Sequence, residues 1–126
     1  MNQEVEPYLS KARESLSGAQ SELANARYNN AANRAYYASY QAAIVAMIRA
    51  GIMRSFWSHD EVQALFAGQL IGRRKLYPSA MRSVLNELSV LRTRGDYEVR
   101  TVSRSAAEHA VRDAEHFLGR LLGGLP

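Results

Sequence analysis

Apolar and small residues along this chain recur at every third or fourth position, which is the spacing of one buried face of an α-helix. The clearest stretch runs from Asn29 to Met47 and reads NNAANRAYYASYQAAIVAM. Because alanine favours helix and carries a very small side chain, partner helices can approach such a stretch closely on more than one side. The pattern therefore predicts a long central helix that ends before Gly51 and packs against the other helices.

A first amphipathic helix is predicted to start near Pro7, because proline lacks an N–H that a first helical residue does not need. Tyr28, Asn29 and Asn30 are expected to form the turn after it, with one of the two asparagines capping the central helix. The apolar stripe of the first helix consists of Tyr8, Leu9, Ala12, Leu16, Ala19, Leu23 and Ala26.

Two further helices are predicted after a connector. Ser58 and Glu61 have the spacing of a capping box, which indicates that a third helix begins there and runs to Gly72. A fourth helix is expected to start at Pro78–Ser79 and to end at Gly95. Its apolar stripe consists of Met81, Val84, Leu85, Leu88 and Leu91.

A last amphipathic helix is predicted to begin after Ser103 and to fray at Gly123 and Gly124. Only the short segment from Tyr97 to Val102 resembles the alternating pattern of a strand. We therefore predict an all-α fold, a bundle of four to five helices that forms one domain over residues 1–126.

The composition is that of a soluble globular protein, with 47% hydrophobic and 22% charged residues. The longest apolar run, Ala42 to Ile48, is well short of the roughly 20 residues that a membrane-spanning helix needs. The N-terminus has neither the basic start nor the apolar core of a secretory signal. The sequence contains no cysteine, which excludes disulfides and thiolate metal sites. These features predict a cytoplasmic protein without membrane contact.

The choice of arginine over lysine is more informative than the net charge itself. The net charge is +4, and fourteen of the sixteen basic residues are arginine. The planar guanidinium suits bidentate contact with phosphate or carboxylate, so the bias favours an anionic partner. A GC-rich genome also raises arginine over lysine, so the excess has two interpretations.

The central helix carries a candidate functional face. Tyr36 and Tyr40 lie one turn apart, whereas Tyr37 shares a more polar face with Arg34 and Gln41. A buried tyrosine still needs a partner for its hydroxyl, so these rings are expected to bind polar groups of other helices. Function is expected first on this face.

The sharpest local feature is the segment LRTRGDY, from Leu91 to Tyr97. Arg92 lies beside the apolar stripe of the fourth helix, so we expect it to be partly buried and paired with Asp96 or a nearby glutamate. One interpretation is a structural ion pair that stabilises the end of the helix, and the other is a functional arginine. Three more arginines form a local basic patch that either binds phosphate or is a solvated surface: Arg94, Arg100 and Arg104.

Four motifs are spread along the chain: Tyr8, Leu9, Lys11 and Ala12 near the start, YNNAANRAYYASYQA in the central helix, Ser58–His59 before a helix with Phe66, and Arg92 with Asp96–Tyr97. Together, and in this order, they resemble the HEPN family of small helical proteins. The likeness covers nearly the whole chain.

The resemblance implies a homodimeric helical bundle that is often encoded beside a nucleotidyltransferase. Many members act as ribonucleases in toxin–antitoxin and defence systems, and need neither a metal ion nor another cofactor. Their signature is an arginine followed, after four to six residues, by a histidine, with both subunits contributing to one site. Histidine can transfer protons at the ribose 2′-hydroxyl, while arginine stabilises charge on the phosphate.

This sequence departs from that signature, because no histidine stands at the expected distance from Arg92 or Arg94. The positions concerned hold Tyr97, Glu98, Val99, Arg100 and Thr101. We therefore assign the catalytic positions to Arg92, Asp96 and Tyr97, with Asp96 as a base or as the partner that orients Arg92. RNA binding is assigned to Arg94, Arg100, Arg104, Arg34 and Tyr37.

The three histidines have structural interpretations. His59 follows the presumed cap and is expected to close the start of the third helix, unless the fold brings it to the cleft of Arg92. His109 and His116 are seven residues apart, which does not match the four-residue spacing of joint metal ligands on a helix. No metal site or cofactor is predicted.

Three hypotheses follow. The first is an RNA-directed HEPN protein, either a ribonuclease toxin or a degenerate relative that binds RNA across a symmetric dimer. The second is a non-catalytic interaction subunit that binds a nucleotidyltransferase antitoxin or a nucleotide and presents Tyr97 for modification. The third is a small structural bundle without a ligand. The arginine excess and the resemblance favour the first two.

Overall fold

A computed structural model describes residues 5–99 and 101–123 of this chain. The described residues form five α-helices and no strand, so the all-α prediction is confirmed. None of the described helices is long and apolar enough to cross a membrane. The helices are α1 (Val5–Ala24), α2 (Tyr28–Arg49), α3 (His59–Leu65), α4 (Val84–Tyr97) and α5 (Arg104–Leu122).

The second helix, α2, is the centre of the bundle, as the alanine pattern predicts. It packs against α1, α4 and α5, and makes smaller contacts with α3. Small side chains allow these partners to approach on several sides, so fourteen of the 22 residues of α2 are buried. Its buried alanines are Ala31, Ala32, Ala35, Ala38, Ala42, Ala43 and Ala46.

The start of α2 differs from the prediction. Tyr28, Asn29 and Asn30 lie inside the first turn of the helix, and neither asparagine caps it. Asn29 Oδ1 instead accepts a hydrogen bond of 2.8 Å from the backbone N–H of Val102, which lies just before α5. Asn30 Nδ2 donates to Glu22 on α1. Both side chains therefore connect α2 to its neighbours, and this use excludes them from the cap.

The predicted cap of the third helix is confirmed, because Ser58 Oγ accepts a hydrogen bond from the backbone N–H of Glu61. The helix keeps its α form only to Leu65 and continues as a π-helix over Phe66–Arg73. The wider π turn brings residues five positions apart close to one face, where an α-helix would align only the pair that is four positions apart. The large buried side chains aligned in this way are Phe66, Leu70 and Ile71.

The fourth helix begins and ends later than predicted. A short 3₁₀ turn, Ser79–Met81, precedes α4, and α4 continues through Gly95. A Cβ at Gly95 would lie 3.1 Å from Val102 Cγ2, so glycine there permits close packing of α4 on the segment before α5. Because the helix does not stop at Gly95, Arg92 and Asp96 share one helical face, one turn apart.

The outer helix ends agree with the sequence in part. In the described residues α1 begins at Val5, two residues before the predicted start at Pro7. The predicted cap of α5 is confirmed, because the side chain of Ser103 accepts a hydrogen bond from the first turn of the helix. Gly123 ends α5 with a positive φ of 65°, while Gly124 lies outside the described residues.

Candidate functional site

Three tyrosines of α2 form the floor of the candidate site. Tyr36 and Tyr40 are buried and Tyr37 is half-buried, as their spacing predicts. The hydroxyl of Tyr40 donates a hydrogen bond of 2.7 Å to the backbone carbonyl of Trp57. The hydroxyl of Tyr36 forms a hydrogen bond with Nδ1 of His59. The expectation that buried tyrosines bind polar groups of other segments is therefore confirmed.

Arg92 extends from α4 over this aromatic floor. Its guanidinium carbon lies 5.0 Å from the centre of the Tyr36 ring and 5.7 Å from that of Tyr37. Its side chain is only 16% exposed, and Nη1 lies 3.4 Å from Oδ2 of Asp96. The predicted part-buried pair is thus confirmed. Nε of Arg92 is buried and has no hydrogen-bond partner among the described residues, so the protein does not saturate this guanidinium.

A chain of hydrogen bonds joins Arg92 to a second arginine. Asn33 Nδ2 donates to Asp96 Oδ2 at 3.1 Å, and Asn33 Oδ1 accepts bonds of 3.0 and 2.7 Å from Nε and Nη2 of Arg34. The guanidinium of Arg34 also lies 5.1 Å from the centre of the Tyr37 ring. Both arginines are therefore held beside the same ring, in what we call the Arg34–Arg92 pair.

This network decides what Asp96 can do. Its carboxylate accepts hydrogen bonds from both Asn33 and Arg92. A carboxylate that is engaged by two fixed donors orients those donors and is poorly placed to take a proton from a substrate. Of the two roles that the sequence left open for Asp96, the geometry therefore favours positioning of Arg92.

His59, the first residue of α3, is enclosed by the three tyrosines, an arrangement that we call the tyrosine box. Its ring stacks on Tyr40 at 4.5 Å between centres, and on Tyr36 at 5.4 Å. Tyr37 meets it edge to face at 5.7 Å. Burial and, after it, the positive charge of Arg92 lower the pKa of His59 below its ordinary value. The imidazole is therefore neutral near pH 7 and lies in the field of Arg92.

The structure brings four of the predicted site residues together: Arg34, Tyr37, Arg92 and Asp96. They come from α2 and α4, which run antiparallel here, so Asn33 meets Asp96 while Arg92 lies over the next turn of α2. Tyr97, the third predicted catalytic residue, occupies the last position of α4 and is 77% exposed.

The remaining predicted RNA-binding arginines lie elsewhere. Arg94 is close to Glu98, at 4.0 Å, and lines a groove of about 560 Å³ between α4 and α5. Arg104 pairs with Glu108 at 3.0 Å and lines a different groove, beside α1. Arg100 lies outside the described residues. Arg94 and Arg104 therefore do not extend the Arg34–Arg92 pair, and their role in RNA binding stays a prediction.

A polar groove of about 390 Å³ between α1 and α2 opens beside Tyr37. Lys11 and Gln41 line it together with Arg34 and Tyr37. Glu14 of α1 also lines this groove and opposes the charge of Lys11, so the groove continues the site as a polar surface of mixed charge.

Sequence reasoning missed two members of the site and placed a third only conditionally. Asn33 and Tyr36 had no assigned role, and His59 was tied to the cap of α3. The Tyr36 and Tyr40 spacing was the available signal, since two buried tyrosines one turn apart require polar partners. Among the described residues no three histidine, aspartate or glutamate side chains cluster in a way that would hold a metal ion.

Comparison with known families gives one result that covers almost the whole chain. The model of the HEPN domain matches residues 5–123, a range that includes all five helices and every described residue of the site. The resemblance seen in the sequence motifs is thereby confirmed. No curated protein sequence matches the chain.

Proposed function

This chain belongs to the HEPN family, and from that premise we propose that it is a metal-independent endoribonuclease that binds single-stranded RNA. The observation that carries the proposal is the Arg34–Arg92 pair, two oriented guanidinium groups on either side of a hydrogen-bonded Asn33–Asp96 link. A phosphate is the anion that the fork-like donors of arginine match best.

The geometry supports RNA as the source of that phosphate. Single-stranded RNA exposes its bases, and aromatic or guanidinium planes stack on them. Tyr37 is half-buried and stands beside both guanidinium groups of the pair. The groove that Lys11 and Gln41 line leads away from it, and supplies a polar path for the next nucleotide.

Arg92 is the residue that we assign to the reacting phosphate. Its side chain is mostly shielded from water, where a charge interacts more strongly than on an open surface. Cleavage of RNA by its own 2′-hydroxyl places extra negative charge on the phosphate oxygens in the transition state. A preorganised cation at that point lowers the barrier without a metal ion.

RNA binding is tested by its dependence on salt. The affinity for a single-stranded RNA, measured by fluorescence anisotropy, should fall steeply as salt rises, because arginines that meet phosphates release counterions. Arg34→Ala should weaken binding and reduce the slope of log K against log salt by about one. Arg112→Ala is the matched control, since it removes one exposed arginine from α5, away from the site. Absent or salt-insensitive binding by the unchanged protein would contradict the proposal.

The family context also makes a dimer part of this proposal. HEPN domains commonly dimerise, and α4 leaves apolar surface uncovered, with Val90 54% exposed at the rim of the groove between α4 and α5. Light scattering at micromolar concentration should give about twice the chain mass of 14.1 kDa. A monomer throughout that range would contradict the dimer and any site shared between subunits.

The alternative is a non-catalytic subunit that binds a nucleotidyltransferase in a toxin–antitoxin or defence system. The observation in its favour is Tyr97, whose hydroxyl is presented at the end of α4 by a side chain that is 77% exposed. The salt titration separates the two functions, because this alternative needs no affinity for RNA. The genes beside this one would identify such a partner.

A further inference from the structure

We propose that His59 is the general base of the RNA cleavage reaction, and that it replaces the histidine which the family signature places after the arginine. The proposal rests on the proposed function. Its basis is the tyrosine box, which brings the first residue of α3 to the aromatic floor under Arg92. His59 and Arg92 come from separate elements, and in the folded chain both lie against the ring of Tyr36.

The hydrogen bond between His59 and Tyr36 decides which ring nitrogen is available. Nδ1 is engaged by the Tyr36 hydroxyl, and no described residue hydrogen-bonds with Nε2. When Nδ1–H donates to the hydroxyl oxygen, Nε2 carries the free electron pair of the neutral ring. Burial raises the pKa of Tyr36, so its hydroxyl stays protonated.

The charges around His59 favour the neutral form that a base requires. Arg92, from α4, is the nearby cation and lowers the pKa of the imidazole. Asp60, the next residue of α3, raises the pKa of the imidazole, but its effect is smaller than that of burial or of Arg92. Burial raises the pKa of Tyr36 and raises the pKa of Tyr40 to about 12, so both hydroxyls are neutral at physiological pH.

A structural role as the partner of the Tyr36 hydroxyl uses only Nδ1 of His59, and it does not explain why the imidazole also lies near the charge of Arg92. The start of α3 is already capped by Ser58, whose hydroxyl accepts the hydrogen bond from Glu61. The connector is already attached to α2 by the hydrogen bond from Tyr40 to Trp57. Neither requires an imidazole between the tyrosines and within the field of Arg92. A titratable group with a shifted pKa beside a part-buried cation is typical of a catalytic site.

The reaction step follows from this placement. Nε2 of His59 takes the proton of a ribose 2′-hydroxyl, and the 2′-oxygen forms a bond to the adjacent phosphorus. The bond from phosphorus to the 5′-oxygen of the next nucleotide breaks, and that oxygen takes a proton from water. The products are a 2′,3′-cyclic phosphate and a 5′-hydroxyl, and the imidazolium returns its proton to solvent. Arg92 compensates the charge on the phosphate oxygens throughout.

The test compares the unchanged protein with His59→Asn on a single-stranded RNA in the presence of a chelator. Asparagine retains a donor near the position of Nδ1, so it can keep the bond to Tyr36, but it cannot accept the proton. Cleavage to the cyclic phosphate should fall about 100-fold or more. RNA affinity and the melting temperature should stay unchanged. His116→Asn, at an exposed histidine of α5, is the matched control and should retain full activity.

The pH profile provides a readout that a structural role would not move. A base must be unprotonated, so kcat/KM of the unchanged protein should fall as pH drops through a pKa below the ordinary value for histidine. This decrease, the acidic limb of the pH profile, should be absent in His59→Asn. If His59→Asn does not fold, Tyr36→Phe serves instead, because it retains the ring and removes the hydroxyl partner of Nδ1. It should lower kcat and shift the acidic limb.

The outcomes separate this inference from the proposed function. The role of His59 is overturned if His59→Asn cleaves at the normal rate, or if the pH profile of Tyr36→Phe is identical to that of the unchanged protein. Either result is compatible with the proposed ribonuclease activity. RNA binding without any cleavage by the unchanged protein overturns both the ribonuclease and its base, while RNA recognition stands. Absence of RNA binding overturns the proposed function at its first step.

Discussion

Replacing Arg92 with alanine is expected to lower kcat/KM for RNA cleavage about 100- to 1,000-fold, the loss typical of removing one preorganised donor to a transition-state charge. The side chain is only 16% exposed and lies over the rings of Tyr36 and Tyr37, so its position barely depends on the substrate. Alanine removes both the charge and the donors from that position. The measurement is steady-state cleavage of a fluorescent RNA in chelator.

The fold should tolerate this change. The side chain of Asp96 is 27% exposed and keeps the hydrogen bond from Asn33, so the carboxylate that loses Arg92 can be rehydrated. Circular dichroism should therefore show unchanged helicity. Arg92→Lys retains the charge but loses the planar fork, and is expected to recover only part of the activity. Arg112→Ala, which removes an exposed arginine from α5, should leave cleavage unchanged.

Two results would contradict the assignment of Arg92. The first is full cleavage by Arg92→Ala. The second is an equal loss in Arg92→Ala and Arg112→Ala, because net charge alone would then explain the effect. Asp96→Asn refines the result. If the carboxylate only orients Arg92, this variant should reduce activity less than Arg92→Ala and should keep the pH dependence that we ascribe to His59.

Replacing Ala38 with leucine is expected to lower the free energy of unfolding by about 1–3 kcal/mol, the usual cost of adding methylene groups to a close-packed core. Ala38 is completely buried on α2, which packs against three other long helices. A larger side chain there pushes against close-packed neighbours and forces side chains and backbone to shift. Urea unfolding followed by circular dichroism measures the change.

Ala64→Leu is the matched control for this stability prediction. Ala64 lies on α3 and is exposed, so the same substitution adds the same atoms without compressing a core. Its free energy of unfolding should change by less than about 0.5 kcal/mol, as for most surface substitutions. Equal effects at the two positions would show that close packing on α2 is not what its alanines provide.

Local spacing in the sequence determined that the chain forms these helices and that α2 is the central one, although it did not determine all of their ends. The recurrence of apolar residues at every third or fourth position predicted each of the long helices, because one face of a helix must be buried. The caps at Ser58 and Ser103 and the pairing of Arg92 with Asp96 were also predictable. All of these depend on residues three or four positions apart, whose relative geometry a helix imposes without help from the rest of the chain.

Tertiary packing alone decided the rest. Asn29 does not cap α2, because it is used by Val102, which is 73 positions away in sequence. Gly95 does not stop α4, because the absence of its side chain lets α4 approach the segment before α5. His59 is more than a cap neighbour, because α3 brings it among the tyrosines of α2 and close to Arg92 of α4. Such encounters depend on the angle and register at which helices pack, and these are set by the fit of whole surfaces. No spacing along the chain encodes them, so the sequence could predict Arg92 but not the histidine that shares the ring of Tyr36 with it.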